Sequence, residues 1–117
     1  MPKTLIKNAR IVNESSIFES DILVEDQFIK KIAPSILVDT AEVFDLQGQL
    51  LLPGCIDNQV HFREPGLTHK GTIASESRAA LAGGITTFME QPNTNPQTVT
   101  FEALEDKFNR AAKGSYV

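Results

Sequence analysis

This sequence predicts an α/β protein with two unlike halves, and three observations predict it. Residues 1–52 carry short β-branched runs broken by polar turns. Residues 53–117 alternate strand-like and helix-like stretches. The two patterns meet at Pro53-Gly54, a dipeptide that interrupts both helix and strand.

In the first half, Leu5-Ile6 and Ile11-Val12 flank Lys7-Asn8-Ala9-Arg10. The run Asp21-Ile22-Leu23-Val24-Glu25 leads into a turn at Asp26-Gln27, and Phe28-Ile29-Lys30-Lys31-Ile32 reads as the returning strand of a hairpin. Val43-Phe44-Asp45-Leu46, followed by a turn at Gly48, adds another short strand. Such runs predict antiparallel sheet, and residues 1–52 are expected to be the N-terminal part of a small β-sandwich domain.

In the second half, residues 55–61 form a buried-type strand that places Asp57, Gln59 and His61 on one side and Ile56, Asn58 and Val60 on the other. Residues 72–82 read as a helix with Ile73, Ser77, Ala80 and Leu81 on one face, and Gly83-Gly84 supplies the left-handed turn that ends it. Residues 85–90 form the next strand. After a loop holding Pro92, Asn93 and Pro96, the residues Phe101, Leu104, Phe108 and Ala111 recur at helical spacing, with Thr100 as N-cap and Gly114 as stop. Ser115-Tyr116-Val117 reads as the opening of a third strand. Strand–helix–strand–helix order predicts a parallel sheet. A closed (β/α)8 barrel needs about 250 residues, so the expected architecture is the start of such a barrel in an N-terminal piece of a longer protein.

Composition narrows the function classes. The chain has 117 residues, 41% hydrophobic and 22% charged, with a net charge of −4. Scattered Lys and Arg on a net acidic chain predict no nucleic-acid partner and no attraction to an anionic membrane. No stretch approaches the roughly 18 apolar residues of a membrane span. Cys55 is the only cysteine; it has no partner for an internal disulfide and reads as a small core residue, in keeping with a cytoplasmic protein.

The residues that could carry chemistry cluster after Pro53-Gly54. His61 falls at the C-terminal end of its strand, where barrel enzymes keep their active sites. Two imidazoles at i and i+2 would lie about 6.6–6.8 Å apart along a strand, close enough to converge on one ion. Here the first of those positions holds Gln59, whose neutral amide is a weaker zinc ligand than imidazole. A lone strand-end histidine otherwise reads as a structural residue. Arg63 reads as a solvated loop residue or as a guanidinium that binds a carboxylate bidentately. Asn93 reads as a turn former between prolines or as a polar contact for a ligand. His69 reads as loop packing. Glu90 could face the site in a hydrogen-bonding role, and Asp57 faces inward without an assigned role.

The run from Asp57 to His61, followed by Phe62-Arg63-Glu64-Pro65-Gly66-Leu67-Thr68-His69-Lys70-Gly71, resembles the dihydroorotase family, cyclic-amide hydrolases of the amidohydrolase superfamily. Ser75-Glu76-Ser77-Arg78-Ala79-Ala80, Ala82-Gly83-Gly84-Ile85-Thr86-Thr87 and Gln91-Pro92-Asn93-Thr94 resemble the helix, strand and loop that follow in that family. The resemblance runs in order over residues 52–96. It implies a metal-dependent TIM-like barrel beginning at residue 53 and continuing past Val117. It implies reversible hydrolysis of dihydroorotate to carbamoyl-aspartate in pyrimidine (UMP) biosynthesis, by a water activated on one or two zinc ions.

Carried over by position, His61 becomes a metal ligand, Gln59 occupies the family's first-histidine position as a doubtful ligand, and Arg63 and Asn93 grip the substrate carboxylate. The remaining ligands and the general base are expected beyond Val117, so the 117 residues alone are expected to be inactive. A homodimer and aspartate carbamoyltransferase are candidate partners. Two alternatives stay open: a hydantoinase or allantoinase relative, and a catalytically inactive dihydroorotase-like subunit that scaffolds aspartate carbamoyltransferase, which Gln59 favours.

Overall fold

The computed structural model describes residues 2–117. The chain divides into two compact units, Met1–Pro53 and Gly54–Val117.

In the first unit, β1 (Lys3–Asn13), β2 (Ser16–Glu25), β3 (Phe28–Ala33), β4 (Glu42–Asp45) and β5 (Leu50–Leu51) form one five-stranded sheet in the order β3-β2-β1-β4, with β5 also paired to β1. The β1–β2 hairpin closes through Glu14 and Ser15, both at positive φ (45° and 65°), the twist a tight hairpin turn requires. Among the described residues these strands make a single sheet. The sheet is not purely antiparallel. The connection over residues 34–41 returns the chain so that β4 and β5 run parallel to β1. The core is Ala9, Ile11 and Ile22, flanked by Ile6, Val24, Leu46 and Leu51.

A bulge in β1 explains a polar residue in this core. The β1–β2 register shifts between Ile6 and Ala9, and Asn8 takes φ 53°. The Asn8 amide leaves the ladder and donates to Asp21 Oδ1 at 2.9 Å, while Ile36 N donates to Asp21 Oδ2 at 3.0 Å. Asp21 is 3% exposed, and its carboxylate completes two backbone donors, one buried at Ile36 and one part-buried at Asn8. On the open side, Asp45 accepts from Asn8 Nδ2 and Gln47 N, and these bonds, the Asn8 side chain's first, hold its carboxyl below its ordinary value. The stabilisation from Asp45 is therefore present at neutral pH and lost as pH falls through that lowered value. Asp21→Ala should cost about 2–5 kcal/mol, about 1–3 kcal/mol for the buried Ile36 amide and about 1–2 kcal/mol for the part-buried Asn8 amide. Hydrogen exchange should accelerate at the Asn8 and Ile36 amides above all; unchanged protection there would contradict this account.

The second unit begins with β6 (Cys55–Val60) and α1 (Ile73–Ala82), followed by β7 (Ile85–Glu90) and α2 (Phe101–Gly114). β6 and β7 pair in parallel. Thr72 caps α1, its side chain accepting from Ser75 N while Ser75 Oγ returns to Thr72 N, a capping box. Of the expected buried face, Ile73 (2% exposed) and Ser77 (0%) are enclosed and Leu81 is exposed. After α1, Gly84 alone takes the left-handed conformation, at φ 86°. Gly114 is the last residue of α2 rather than its stop, and Ser115 is the C-cap. The last three residues do not form the expected third strand; Ser115 Oγ and Tyr116 N turn instead to local and α1 partners, with Tyr116 N donating to Ser77 Oγ at 3.1 Å.

Two side-chain expectations are corrected. Cys55 is exposed rather than part of a core. On α2 the apolar stripe is largely open, with Phe101 and Phe108 about two-thirds exposed or more, whereas Lys107 is buried (7%). The lysine is drawn in by a carboxylate at the end of β7: Lys107 Nζ lies 3.0 Å from Glu90 Oε2.

Candidate functional site

Strand alternation sorts the end of β6. Val60 and Phe62 are buried, with the Phe62 ring 4.5 Å from that of Phe88, while Gln59 and His61 are exposed on the opposite side. Gln91 N donates to Val60 O at 2.9 Å, which prolongs the pairing with the end of β6 by one residue past β7. That bond sets the segment after β7 beside His61. The result is a contact between two residues 32 apart in sequence: His61 Nδ1 lies 3.0 Å from Asn93 Oδ1. With Asn93 Oδ1 as acceptor, the proton sits on Nδ1, Nε2 keeps its lone pair, and the Asn93 amide NH2 remains free to donate.

Asn93 is held by its neighbour. Thr94 is buried (6% exposed), and its hydroxyl meets Pro96 O at 2.8 Å and Thr98 Oγ1 at 2.9 Å. Thr94 N and Thr98 N both donate to Pro92 O. Loop residues 92–98 thus fold around one threonine hydroxyl.

Arg63 stands on the loop after β6 at φ 70°, an uncommon conformation for a side chain with a Cβ. Its guanidinium has no hydrogen-bond or ion-pair partner among the described residues. Three contacts brace this loop. Leu67 N donates to Arg63 O at 3.1 Å. Glu64 Oε2 accepts from Ile73 N, the first amide of α1, at 2.9 Å. Pro65 O accepts from Asn95 N at 3.1 Å, which ties the loop of Arg63 directly to the loop of Asn93. The peptide bonds Glu64-Pro65 and Asn95-Pro96 are both cis. Glu64 Oε1 also reaches Arg110 Nη1 at 3.6 Å, and Arg110 is held above its ordinary pKa first by Asp106 at 2.7 Å and more weakly by Glu64.

The other residues singled out from sequence fall outside this cluster. Asp57 Oδ1 accepts from Gln59 N at 3.0 Å, so its carboxylate serves its own strand. His69 is exposed on its loop. Glu90 does not face the site: it points into the helix-covered layer, paired to Lys107, with Oε1 buried and without a partner. Lys107 Nζ also approaches Gln91 O at 3.5 Å, so the pair buttresses the start of the Asn93 loop from beneath.

No three His, Cys, Asp or Glu side chains converge among the described residues. A structural or catalytic zinc site needs at least three protein ligands. His61 offers one imidazole nitrogen and Gln59 one neutral amide, so these residues do not make up a metal site by themselves.

Residue order gives Glu64 and Thr94 a place in motifs but no individual role, and gives Lys107 neither. A signal existed for each. Glu64 precedes a Thr-x-x-Ser capping box, Thr94 sits between two prolines, and Lys107 interrupts an apolar stripe opposite an acidic strand end.

Residues 48–116 match the profile of the family described as Dihydro-orotase-like. The chain is 45% identical over 114 residues to a dihydroorotase of Bacillus thuringiensis, covering 97% of this chain and 27% of that protein. It is 42% identical over 102 residues to a dihydroorotase of Pediococcus pentosaceus, covering 87% of this chain and 24% of that protein. Among solved structures, the L-hydantoinase (dihydropyrimidinase) of Arthrobacter aurescens superposes with a TM-score of 0.89 at 34% identity, over 95% of this chain and 25% of that one. A D-hydantoinase (dihydropyrimidinase) of a Thermus species gives 0.76 at 31% identity, over 92% and 24%. The chain therefore spans about a quarter of the length of the relatives it matches. No helix among the described residues is long and apolar enough to cross a membrane. With the family profile covering the strand, both braced loops and both helices, the chain belongs to the dihydro-orotase-like family.

Proposed function

We propose that this chain is the N-terminal portion of a dihydroorotase, which interconverts dihydroorotate and carbamoyl-aspartate in pyrimidine biosynthesis. The observation that carries the reading is the pair of braced loops: an unpartnered guanidinium at Arg63 and a free amide NH2 at Asn93, on loops joined by the Asn95–Pro65 hydrogen bond and set beside His61. That donor set suits a carboxylate on a small ring. The task of these residues is recognition. Arg63 binds the carboxylate, Asn93 supports it through Nδ2, and the Asn93 oxygen orients His61.

In this reading the two βα units open a TIM-like barrel. The cofactor is zinc, one or two ions, with His61 Nε2 as one ligand. The other ligands and the general base belong to the part of the relatives' length that this chain does not span. The enzyme is cytoplasmic, with a homodimer and aspartate carbamoyltransferase as its candidate partners.

Two other readings rest on specific observations. The likeness to an L-hydantoinase favours a hydantoin-type substrate, against which Arg63 argues, because hydantoin carries no carboxylate for it to bind. Gln59 favours an inactive scaffold. The full-length protein assayed side by side should turn over dihydroorotate and leave hydantoin largely untouched; preference for hydantoin, or no turnover of either, would sink the proposal. Metal analysis should find more zinc bound to Gln59→His than to the parent protein, since imidazole replaces a neutral amide.

A further inference from the structure

We propose that Glu64 is a positioning residue that sets the Arg63 guanidinium for the substrate carboxylate, a role that rests on the dihydroorotase reading above. Glu64 is adjacent to Arg63, and its carboxylate points away from the site into the helix layer. Oε2 takes the first amide of α1 at 2.9 Å, and Oε1 lies 3.6 Å from Arg110 of α2. One side chain therefore ties the loop after β6 to both helices of the unit.

The two ties are unequal. The bond to Ile73 N is short, charge-assisted, and made to the positive end of a capped helix. Its donor belongs to a residue only 2% exposed, so no water replaces the acceptor easily. The Arg110 contact is long, and its guanidinium is 41% exposed and already paired with Asp106 at 2.7 Å. Exposed pairs of that kind contribute little. The anchor is thus the helix N-terminus.

The loop needs an anchor because Arg63 holds a strained backbone at φ 70°. On its far side Pro65 O is engaged by Asn95 N at 3.1 Å. Freed from α1, Arg63 can relax toward an ordinary conformation and carry its guanidinium away from Asn93. The loss falls on carboxylate binding rather than on the reacting amide.

The test uses the full-length enzyme and two ring ligands: dihydroorotate, and dihydrouracil, the same ring without the carboxylate. Glu64→Ala should raise KM for dihydroorotate about tenfold, as expected for loss of a charge-assisted hydrogen bond. It should leave kcat within about threefold and the inhibition constant of dihydrouracil unchanged, the pattern of lost ground-state binding. Glu64→Gln keeps an acceptor for Ile73 N and should recover most of the affinity. It also guards against a failure of the alanine variant to fold. Arg110→Gln should be close to the parent enzyme. Equal weakening of both ligands, or a fall in kcat without a rise in KM, would overturn the proposal and leave Glu64 a general structural residue. If the parent enzyme itself does not prefer dihydroorotate to dihydrouracil, the dihydroorotase reading fails and takes this proposal with it; if it does and Glu64→Ala matches it, the positioning role alone fails.

Discussion

Gly66→Ala should be the most damaging single methyl added to this chain. Gly66 sits at φ 81°, and a Cβ there would lie 1.8 Å from the Asn95 carbonyl oxygen and 2.7 Å from its carbon. No rotamer relieves a clash with backbone. The loop of Arg63 must part from the loop of Asn93, breaking the Asn95 N–Pro65 O bond. Left-handed backbone with a side chain costs about 1–2 kcal/mol, and the lost hydrogen bond and repacking add about as much again. The expected loss is about 2–4 kcal/mol, read as a lower denaturant midpoint of the full-length protein. Dihydroorotate affinity should fall with it, because both carboxylate-binding residues lose their common brace. A midpoint unchanged from the parent would mean that the loops are not packed as described.

Arg63→Ala should lose substrate affinity without losing the fold. Hydrogen bonds to charged groups contribute about 1.5–3 kcal/mol, so KM for dihydroorotate should rise about 10- to 150-fold, since about 1.4 kcal/mol is a factor of ten. Arg63→Lys should restore only part of this, because an ammonium cannot reproduce the planar two-point fork. Arg63→Gly separates function from strain. Glycine takes φ 70° without penalty, so that variant should be as stable as the parent or more so, yet bind dihydroorotate as poorly as Arg63→Ala. A residue that costs the fold something and serves the ligand is the pattern expected of a binding site. Unaltered dihydroorotate binding by Arg63→Gly would refute the assignment.

Much of this was legible in residue order. The hairpins of the first unit follow from β-branched runs and their turns. Both helices of the second unit begin where Thr72 and Thr100 invite them, because a threonine hydroxyl can satisfy an amide that the helix leaves open. Other features were not legible. The antiparallel expectation holds for β1–β2 and β2–β3 but not for β4 and β5, because strand period reports which residues face a core, not which strand lies alongside; β4 and β5 pair in parallel with β1 through a connection that has no periodicity. Lys107 was read past because its burial depends on Glu90, seventeen residues earlier on another element. Glu90, which strand order alone leaves free to face the site, turns to Lys107 instead. The register between β6 and β7 shifts twice, and counting alternate residues does not carry through a shift.

The sequence by itself determined the elements, the family likeness and the residues worth testing, because local propensity and motif order are properties of neighbours in the chain. Only the tertiary structure decided how those residues act together. It brought Asn93 to His61 across 32 residues, joined the two recognition loops through Asn95 and Pro65, and turned Glu64 from the site toward the end of α1. Those outcomes depend on where backbone donors and acceptors are left unpaired once the strands and helices have formed. That is settled only when the whole unit closes on itself.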